Sequence, residues 1–323
     1  MENDIIVSVI VITYNQEKYI RQALNSVVSQ VVNFSFEILV GDDASTDRTS
    51  KIIQEYSLKY PGLIIPVFQK TNVGAARNAY DLCKMAKGKY LAFCEGDDYW
   101  LSDDKLQLQV DFLENHKELV GCSHRCVLVD KAGVPLPFQR IRWVKYKKIF
   151  SFDDFAGGLY LPGQTSSIVK RNIFMDTETD LSVLYLFDKD ISDRIANMIY
   201  LLQGNFGFVD RKLSAYRMDY QAGSSITGRK FTNNRDKLLL DLSMTKYLEQ
   251  YVSQKGRGGG FYKKRSEILA KAVALFLLHP DKKSLSVLKT VFSDSGMDWK
   301  SIVYIPVLLS ERFFLDAVYW IKG

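Results

Sequence analysis

Four cysteines and three histidines in 323 residues are too few for a disulfide scaffold or a histidine-rich metal protein. Cys83, Cys94, Cys122 and Cys126 fit structural thiols, buried or half-buried, in a reducing compartment. The run Cys122-Ser123-His124-Arg125-Cys126 offers at most three zinc ligands, has no second pair and follows a strand-like pattern. Long apolar runs are also missing. The longest, Ile268 to Leu278, contains Lys271 and falls short of the roughly 20 residues that a membrane-spanning helix needs. No signal peptide is expected, because Met1-Glu2-Asn3-Asp4 is acidic and the apolar run Ile5 to Ile12 is short and leads directly into polar residues. A cytoplasmic protein is the expectation. The first strand-to-helix turn, Thr13-Tyr14-Asn15-Gln16, has no glycine, and there is neither a GKS or GKT loop nor a GxSxG elbow. Rossmann hydride transfer, P-loop ATP hydrolysis and α/β-hydrolase chemistry are therefore poorly supported.

With 47% hydrophobic and 25% charged residues, the chain can bury one large core or two smaller ones. Its net charge of +6 hides a split: Arg211 to Gly323 holds 20 basic and 10 acidic residues, against 23 and 27 before it. The acidic part reads as repeated βα units. Buried strands are predicted at Val7–Ile12, Phe36–Val40, Ile64–Phe68 and Tyr90–Cys94, and helices at Glu17–Gln30, Asp47–Lys59 and Gly74–Ala86. A helix follows at Ser102–Asn115 with Ser102 as N-cap, then strands at Gly121–Val129 and Thr165–Val169, a helix at Ile191–Leu202 and a strand at Gly207–Arg217. Gly256-Arg257-Gly258-Gly259-Gly260 separates two helices, Asn234–Ser253 and Tyr262–Leu278, and a last amphipathic segment runs from Ile302 to Lys322. The expected fold is α/β, a mostly parallel sheet flanked by helices.

In open α/β sheets ligands sit beyond the carboxyl ends of the strands. The loops there are rich in carboxylate: Gly41-Asp42-Asp43-Ala44-Ser45-Thr46-Asp47 after the second strand and Glu95-Gly96-Asp97-Asp98 after the fourth. Two acidic clusters at one sheet edge repel each other unless a cation or hydrogen-bond donors sit between them, and Mg²⁺ or Mn²⁺ carrying a pyrophosphate suits such oxygens. The plainer alternative makes Asp47 a helix cap, Asp42 a turn residue and Arg77 a solvated or ion-paired side chain.

Four segments in the same order and spacing resemble family 2 glycosyltransferases with the GT-A fold. Ser8–Asn15 matches a strand ending in TYN, Glu37–Asp47 a pattern EIxVxDDxSTD, Asn72-Val73-Gly74 with Arg77-Asn78 a pattern NxGxxxARN, and Gly88–Asp98 a pattern GxYxxxLDxDD. The resemblance implies a nucleotide-sugar half over residues 1–100, a smaller mixed acceptor half over 101–225, and a basic helical region over 226–323. It implies that Asp43 and Asp42 face the nucleobase with Tyr14 against it. Gly74 and Arg77 approach the nucleotide, and Glu95 and Asp97 meet the donor. Asp97 and Asp98 hold Mn²⁺ or Mg²⁺. Glu95 stands where the family has the first Asp of its DXD motif. The implied chemistry is inverting transfer of a hexose or N-acetylhexosamine from a nucleotide diphosphate sugar, a UDP-sugar, to a glycan or lipid-linked glycan of surface polysaccharide. Asp193 is the implied base, with Asp190 and Asp188 as nearby rivals. Tyr216-Arg217 with Gly223-Ser224-Ser225 resembles the family's YRxHxxGxS, which makes Arg217 a phosphate contact, although Met218-Asp219 departs from that pattern and no His follows. Gly163-Gln164-Thr165-Ser166-Ser167 resembles the acceptor-side strand start. Trp100 reads either as a sugar platform or as a core aromatic.

The resemblance fades beyond about Ser225. Lys263-Lys264-Arg265, Lys282-Lys283 and the aromatic residues Phe313, Phe314, Tyr319 and Trp320 suit either peripheral contact with an anionic membrane on its inner face or a helical appendage with its lysines in water. No nucleic-acid motif is present. The rival classes are a nucleotidyltransferase, which needs a glycine-rich basic loop this chain lacks, and a catalytically silent sugar-nucleotide-binding or scaffold subunit of a membrane glycan assembly.

Overall fold

The computed structural model describes residues 4–139, 141–176, 179–189, 192–218, 234–258 and 260–294. They divide into two compact units, residues 1–152 with 161–219, and residues 153–160 with 220–323.

The first unit is built on one nine-stranded sheet. Strands β1 (Ile5–Thr13), β2 (Ser35–Asp42), β3 (Ile64–Phe68) and β4 (Tyr90–Glu95) are parallel in the order β3-β2-β1-β4. Helices α1 (Ile20–Val28), α2 (Thr49–Lys59) and α3 (Ala75–Met85) fill the crossovers. β1 is Ile-Ile-Val-Ser-Val-Ile-Val-Ile-Thr, an almost unbroken β-branched run of the kind that is buried on both faces of a parallel sheet. Val7, Val9 and Val11 pack on one side with Ile20, Leu24 and Val27 of α1, while Ile10 packs on the other with Leu39, Leu91 and Leu82 of α3. Emptying one such position, Leu24→Ala for instance, costs about 2–5 kcal/mol. The single polar residue inside β1, Ser8, donates to Glu37 Oε1 (2.6 Å) and accepts from Gly88 N (2.8 Å), so its burial costs little.

Past β4 the sheet becomes mixed, in the order β4-β8-β6-β9-β5. β5 is Tyr99–Trp100, β6 Leu119–Val129, β7 Ile149–Phe150, β8 Val169–Arg171 and β9 Asn205–Arg217. β8 is antiparallel to β4 and β6, β6 is parallel to β9, and β5 and β7 are antiparallel to β9. Helices α4 (Lys105–Asn115), α5 (Phe152–Ala156), α6 (Val183–Leu186) and α7 (Asp193–Leu201) complete the described elements before residue 219. The α/β architecture and the mostly parallel sheet flanked by helices agree with the sequence pattern. Two details differ. The strand expected at Thr165–Val169 is a 3-10 turn over Thr165–Ser167, with the strand beginning at Val169. Ser167 Oγ donates to Gln164 O (2.6 Å), the local bonding by which hydroxyl residues compete with a ladder. Ser102 does not cap α4; the N-cap position is Asp104, whose carboxylate accepts from the Ser102 hydroxyl.

The second unit contains helices Asn234–Gln254, Tyr262–Leu278 and Lys282–Asp294. The glycine-rich break falls where expected, with Gly256 in the left-handed region at φ 75°. Leu238, Leu242, Ile268, Leu269, Ala272, Leu275, Val287 and Val291 form its core. Lys264 is buried and paired with Asp241 (3.1 Å) and Glu267 (3.6 Å). The third helix was not foreseen. It leaves Leu285 and Phe292 exposed on an element that also carries Lys282, Lys283 and Lys289. Among the described residues no helix is long and apolar enough to cross a membrane. The amphipathic segment Ile302–Lys322, Gly223-Ser224-Ser225 and Asp190 lie outside the described residues.

Candidate active site

The chain runs from β1 outward to β2 and β3, then returns to β4 on the other side of β1, so the crevice lies beyond the ends of β1 and β4. The register sets Thr13 level with Asp42 and Ile12 level with Glu95, which brings the two acidic loops to one edge.

The first wall is the Thr13–Gln16 turn laced to the loop after β2. Asn15 takes φ 53°, a left-handed conformation that asparagine tolerates, and its Oδ1 accepts from Thr46 N (2.8 Å) while its own N donates to Ser45 Oγ (2.9 Å). Tyr14 beside it is half-buried. Ala44 also sits at φ 60°, a conformation that costs a non-glycine residue free energy and is held here by the bonds around it. Asp42 is buried and accepts from Ser45 N (3.3 Å), Ser45 Oγ and Ser50 Oγ. Asp43, also buried, accepts from Val73 N (2.7 Å) and Gly74 N (2.9 Å). Asp47 accepts from Thr49 N (2.9 Å) and Glu17 N (3.1 Å), tying the start of α2 to the turn before α1.

Gly74 opens α3 at φ 90°, and a Cβ there would overlap the Lys189 carbonyl, which also accepts from Ala76 N (2.8 Å). Glycine is required on both counts. Arg77, expected to approach a nucleotide, is ion-paired with Asp81 (2.7 Å) and lies over the Tyr185 ring (4.6 Å).

The second wall is the turn after β4. Asp98 N donates to Glu95 O (2.9 Å), and Gly96 is packed so closely on Thr13 and Gln16 that a side chain there would overlap them. A glycine inside an acidic turn is a readable sign of such an approach. Asp98, expected as a metal ligand, is buried and has both oxygens engaged: Oδ1 accepts from Arg217 N and Oδ2 from Ser166 Oγ, each at 2.9 Å. Trp100 is core, 4% exposed, with Nε1 donating to Ser166 O (3.2 Å) and the buried Lys105 ammonium over its ring (4.1 Å). Arg217, expected on a phosphate, has its guanidinium donating to Asp97 O, Asp130 O, Lys131 O and Gln22 Oε1.

Asp193 heads α7 and is half-buried, its Oδ1 accepting from Arg194 N (2.7 Å). Its charge acts on Glu95, so residues about a hundred positions apart share one electrostatic neighbourhood. Burial first, then Asp97 and Asp193, push the Glu95 carboxyl up to about 8. Asp98 is raised by the same causes, burial, Asp97 and Glu95, and Tyr216 by burial and then by this group of carboxylates. Half-buried Glu95 and Asp97 therefore fit a hard divalent cation, which would relieve their repulsion. Among the described residues no group of three or more His, Cys, Asp or Glu side chains is arranged to hold a metal alone. The remaining oxygens would have to come from a ligand such as a diphosphate.

Residues 8–176 match the family model described as Glycosyl transferase family 2. An uncharacterized protein of Mycobacterium tuberculosis is 39% identical over 165 residues, 51% of this chain and 46% of that protein. TarS of Staphylococcus aureus, a poly(ribitol-phosphate) β-N-acetylglucosaminyltransferase, is 36% identical over 110 residues, 34% of this chain and 19% of TarS. The matched regions thus span about half or less of these relatives' own length. The crystal structure of TarS 1-349 in complex with UDP superposes with a TM-score of 0.63 at 19% identity, covering 97% of this chain and 89% of that one. A mannosyltransferase of Pyrobaculum calidifontis in complex with GDP-Man and Mn²⁺ superposes at 0.54 and 13% identity, covering 98% and 83%. These likenesses show the fold.

Proposed function

The chain belongs to glycosyltransferase family 2, and from that membership we propose that it transfers one hexose or N-acetylhexosamine unit, with inversion, from a UDP-sugar to a glycan or lipid-linked glycan of surface polysaccharide. The observation that carries this reading is that Glu95, at the carboxyl end of the parallel strand β4, lies within electrostatic reach of both Asp97 and Asp193, the latter at the head of α7. UDP in the TarS complex and the polymer named for TarS support the donor and the setting, and the Mn²⁺ of the Pyrobaculum enzyme supports a cation.

In the mechanism, Tyr14 and the loop of Asp42 and Asp43 receive the nucleoside, with the Asp43 carboxylate presented by two backbone donors and still able to accept from a base. Gly74 lets the backbone come close to the donor, and Arg77 stands on the next turn of α3. Asp97, with Glu95 beside it, would hold Mn²⁺ or Mg²⁺. That ion would stabilise the charge developing on the leaving UDP. Asp193 takes the proton of the acceptor hydroxyl as its oxygen bonds to the sugar C1 and the C1–O bond to the diphosphate breaks. Asp98 anchors the turn through Ser166 and the Arg217 backbone. The second unit, with Leu285 and Phe292 exposed beside lysines, serves as a contact with anionic lipid at the inner membrane face.

The test is release of UDP from a panel of UDP-sugars with Mn²⁺ and acceptor glycans, for wild type and Asp193→Asn. The reading expects turnover by the wild type and a loss of about 10²-fold or more in Asp193→Asn with UDP affinity kept. Full transfer by Asp193→Asn refutes the base. A wild type that binds UDP but turns over with no acceptor favours the silent scaffold.

A further inference from the structure

Arg217 closes β9 with its guanidinium almost wholly withdrawn from water, the residue being 8% exposed. Nε donates to Asp97 O (2.8 Å), Nη1 to Asp130 O (3.1 Å) and Lys131 O (2.7 Å), and Nη2 to Gln22 Oε1 (2.7 Å). Its backbone N donates to Asp98 Oδ1 (2.9 Å). The charged plane lies over the rings of Tyr19 (4.5 Å) and Tyr99 (5.5 Å). Four of the five guanidinium hydrogens are therefore spent on protein acceptors from three other parts of the chain. The acceptors are themselves held: Asp130 Oδ1 accepts from Ala132 N and Val134 N (2.9 Å each), which fixes the turn presenting the Asp130 and Lys131 carbonyls.

We infer that Arg217 is a positioning residue that sets the shape of the Glu95–Asp98 turn for a cation, and through it the grip on a donor diphosphate. One side chain grips the Asp97 peptide, its own amide grips the Asp98 carboxylate, and both are referred to α1 through Gln22. α1 follows the Thr13–Gln16 turn on which Gly96 rests, so Arg217 and Gly96 locate the acidic turn from opposite ends. The planar fork is what the geometry uses. A lysine keeps the charge but cannot reach four acceptors spread in one plane. This inference rests on the nucleotide-and-cation reading proposed above.

The experiment compares wild type, Arg217→Lys and Gln22→Ala by two measurements. The first is hydrogen exchange of amides 95–100 against those of β1 and β2. The second is UDP affinity by calorimetry in Mn²⁺ and in EDTA. Expected for Arg217→Lys is exchange of the turn faster by about tenfold with β1 and β2 unchanged, together with UDP binding weakened about 10- to 100-fold in Mn²⁺ and unchanged in EDTA. Gln22→Ala, which keeps Arg217, shifts both in the same direction by less, and carries the test if Arg217→Lys does not fold. Equal weakening with and without Mn²⁺ would mean that Arg217 touches phosphate directly and would overturn the inference. Unchanged exchange of the turn would overturn it as well. A wild type that binds no UDP under either condition refutes the donor reading, while the exchange arm still decides whether Arg217 shapes the turn.

Discussion

Replacing Lys105 by methionine is expected to raise the stability of the sheet unit, by an amount that shrinks as pH rises. Lys105 stands at the start of α4 with no exposed surface, and its Nζ has no hydrogen-bond partner. Burial pushes its ammonium down from 10.5 to about 7, partly opposed by the thiols of Cys94, Cys122 and Cys126. At ~1.4 kcal/mol per pH unit, that depression corresponds to about 5 kcal/mol lost on folding when the group is charged in both states. The sign follows from protons bound. Below about pH 7 both states carry the charge and the full cost applies. Between about 7 and 10.5 the unfolded chain holds a proton that the folded one has released, so wild-type stability rises with pH. The advantage of Lys105→Met should then be about 5 kcal/mol at pH 6.5 and fall to about 2 kcal/mol by pH 9. Above pH 9 the Cys122 and Cys126 thiols, which burial pushes up to about 12, act in the opposite direction, so the window is kept below that. Hydrogen exchange of the β6 amides under increasing urea reports the opening of this sheet rather than of the helical unit. A variant less stable than wild type at pH 6.5, or a difference that does not change with pH, would refute the reasoning.

Gly74→Ala should cost about 1–3 kcal/mol and weaken UDP binding, since it sets a Cβ against the Lys189 carbonyl at φ 90°; wild-type behaviour in denaturation and calorimetry would contradict the tight approach. Burial, Asp97 and Asp193 raise the Glu95 carboxyl, and a carboxyl that ligates a cation must give up its proton, so binding of Mn²⁺ with UDP should release protons and tighten as pH rises. Titrations in buffers of different ionisation enthalpy measure that release, and Glu95→Gln should abolish it. Flotation with vesicles of anionic phospholipid should carry the wild type and lose most of the Phe292→Ser, Leu285→Ser variant; equal flotation of both would remove this helix as the lipid contact.

The parallel core was legible because its determinants are local: β1 is a β-branched run, and Ile20, Leu24 and Val27 repeat at helical spacing. The acidic turns were legible for the same reason. What each carboxylate does was not, because its partners come from afar. Asp98 meets Ser166 and Arg217, and nothing between residues 95 and 100 announces either. Lys105 follows two aspartates and reads as one more surface charge, yet it faces the thiols of Cys94, Cys122 and Cys126 from the inner side of α4. Strands of two residues, β5 and β7, are too short to carry a period. The helix Lys282–Asp294 did carry one, in Leu285, Leu288 and Val291, but its paired lysines drew the reading toward charge.

All four cysteines are buried and unpaired, and burial raises the thiols of Cys83, Cys94, Cys122 and Cys126 well above the range in which thiolate is present at neutral pH. The native protein is therefore a silent background for thiol-directed labelling. A cysteine substituted for Leu58, 82% exposed on α2, would be the one thiol that a maleimide dye finds, with no need to strip the natural ones from the core first.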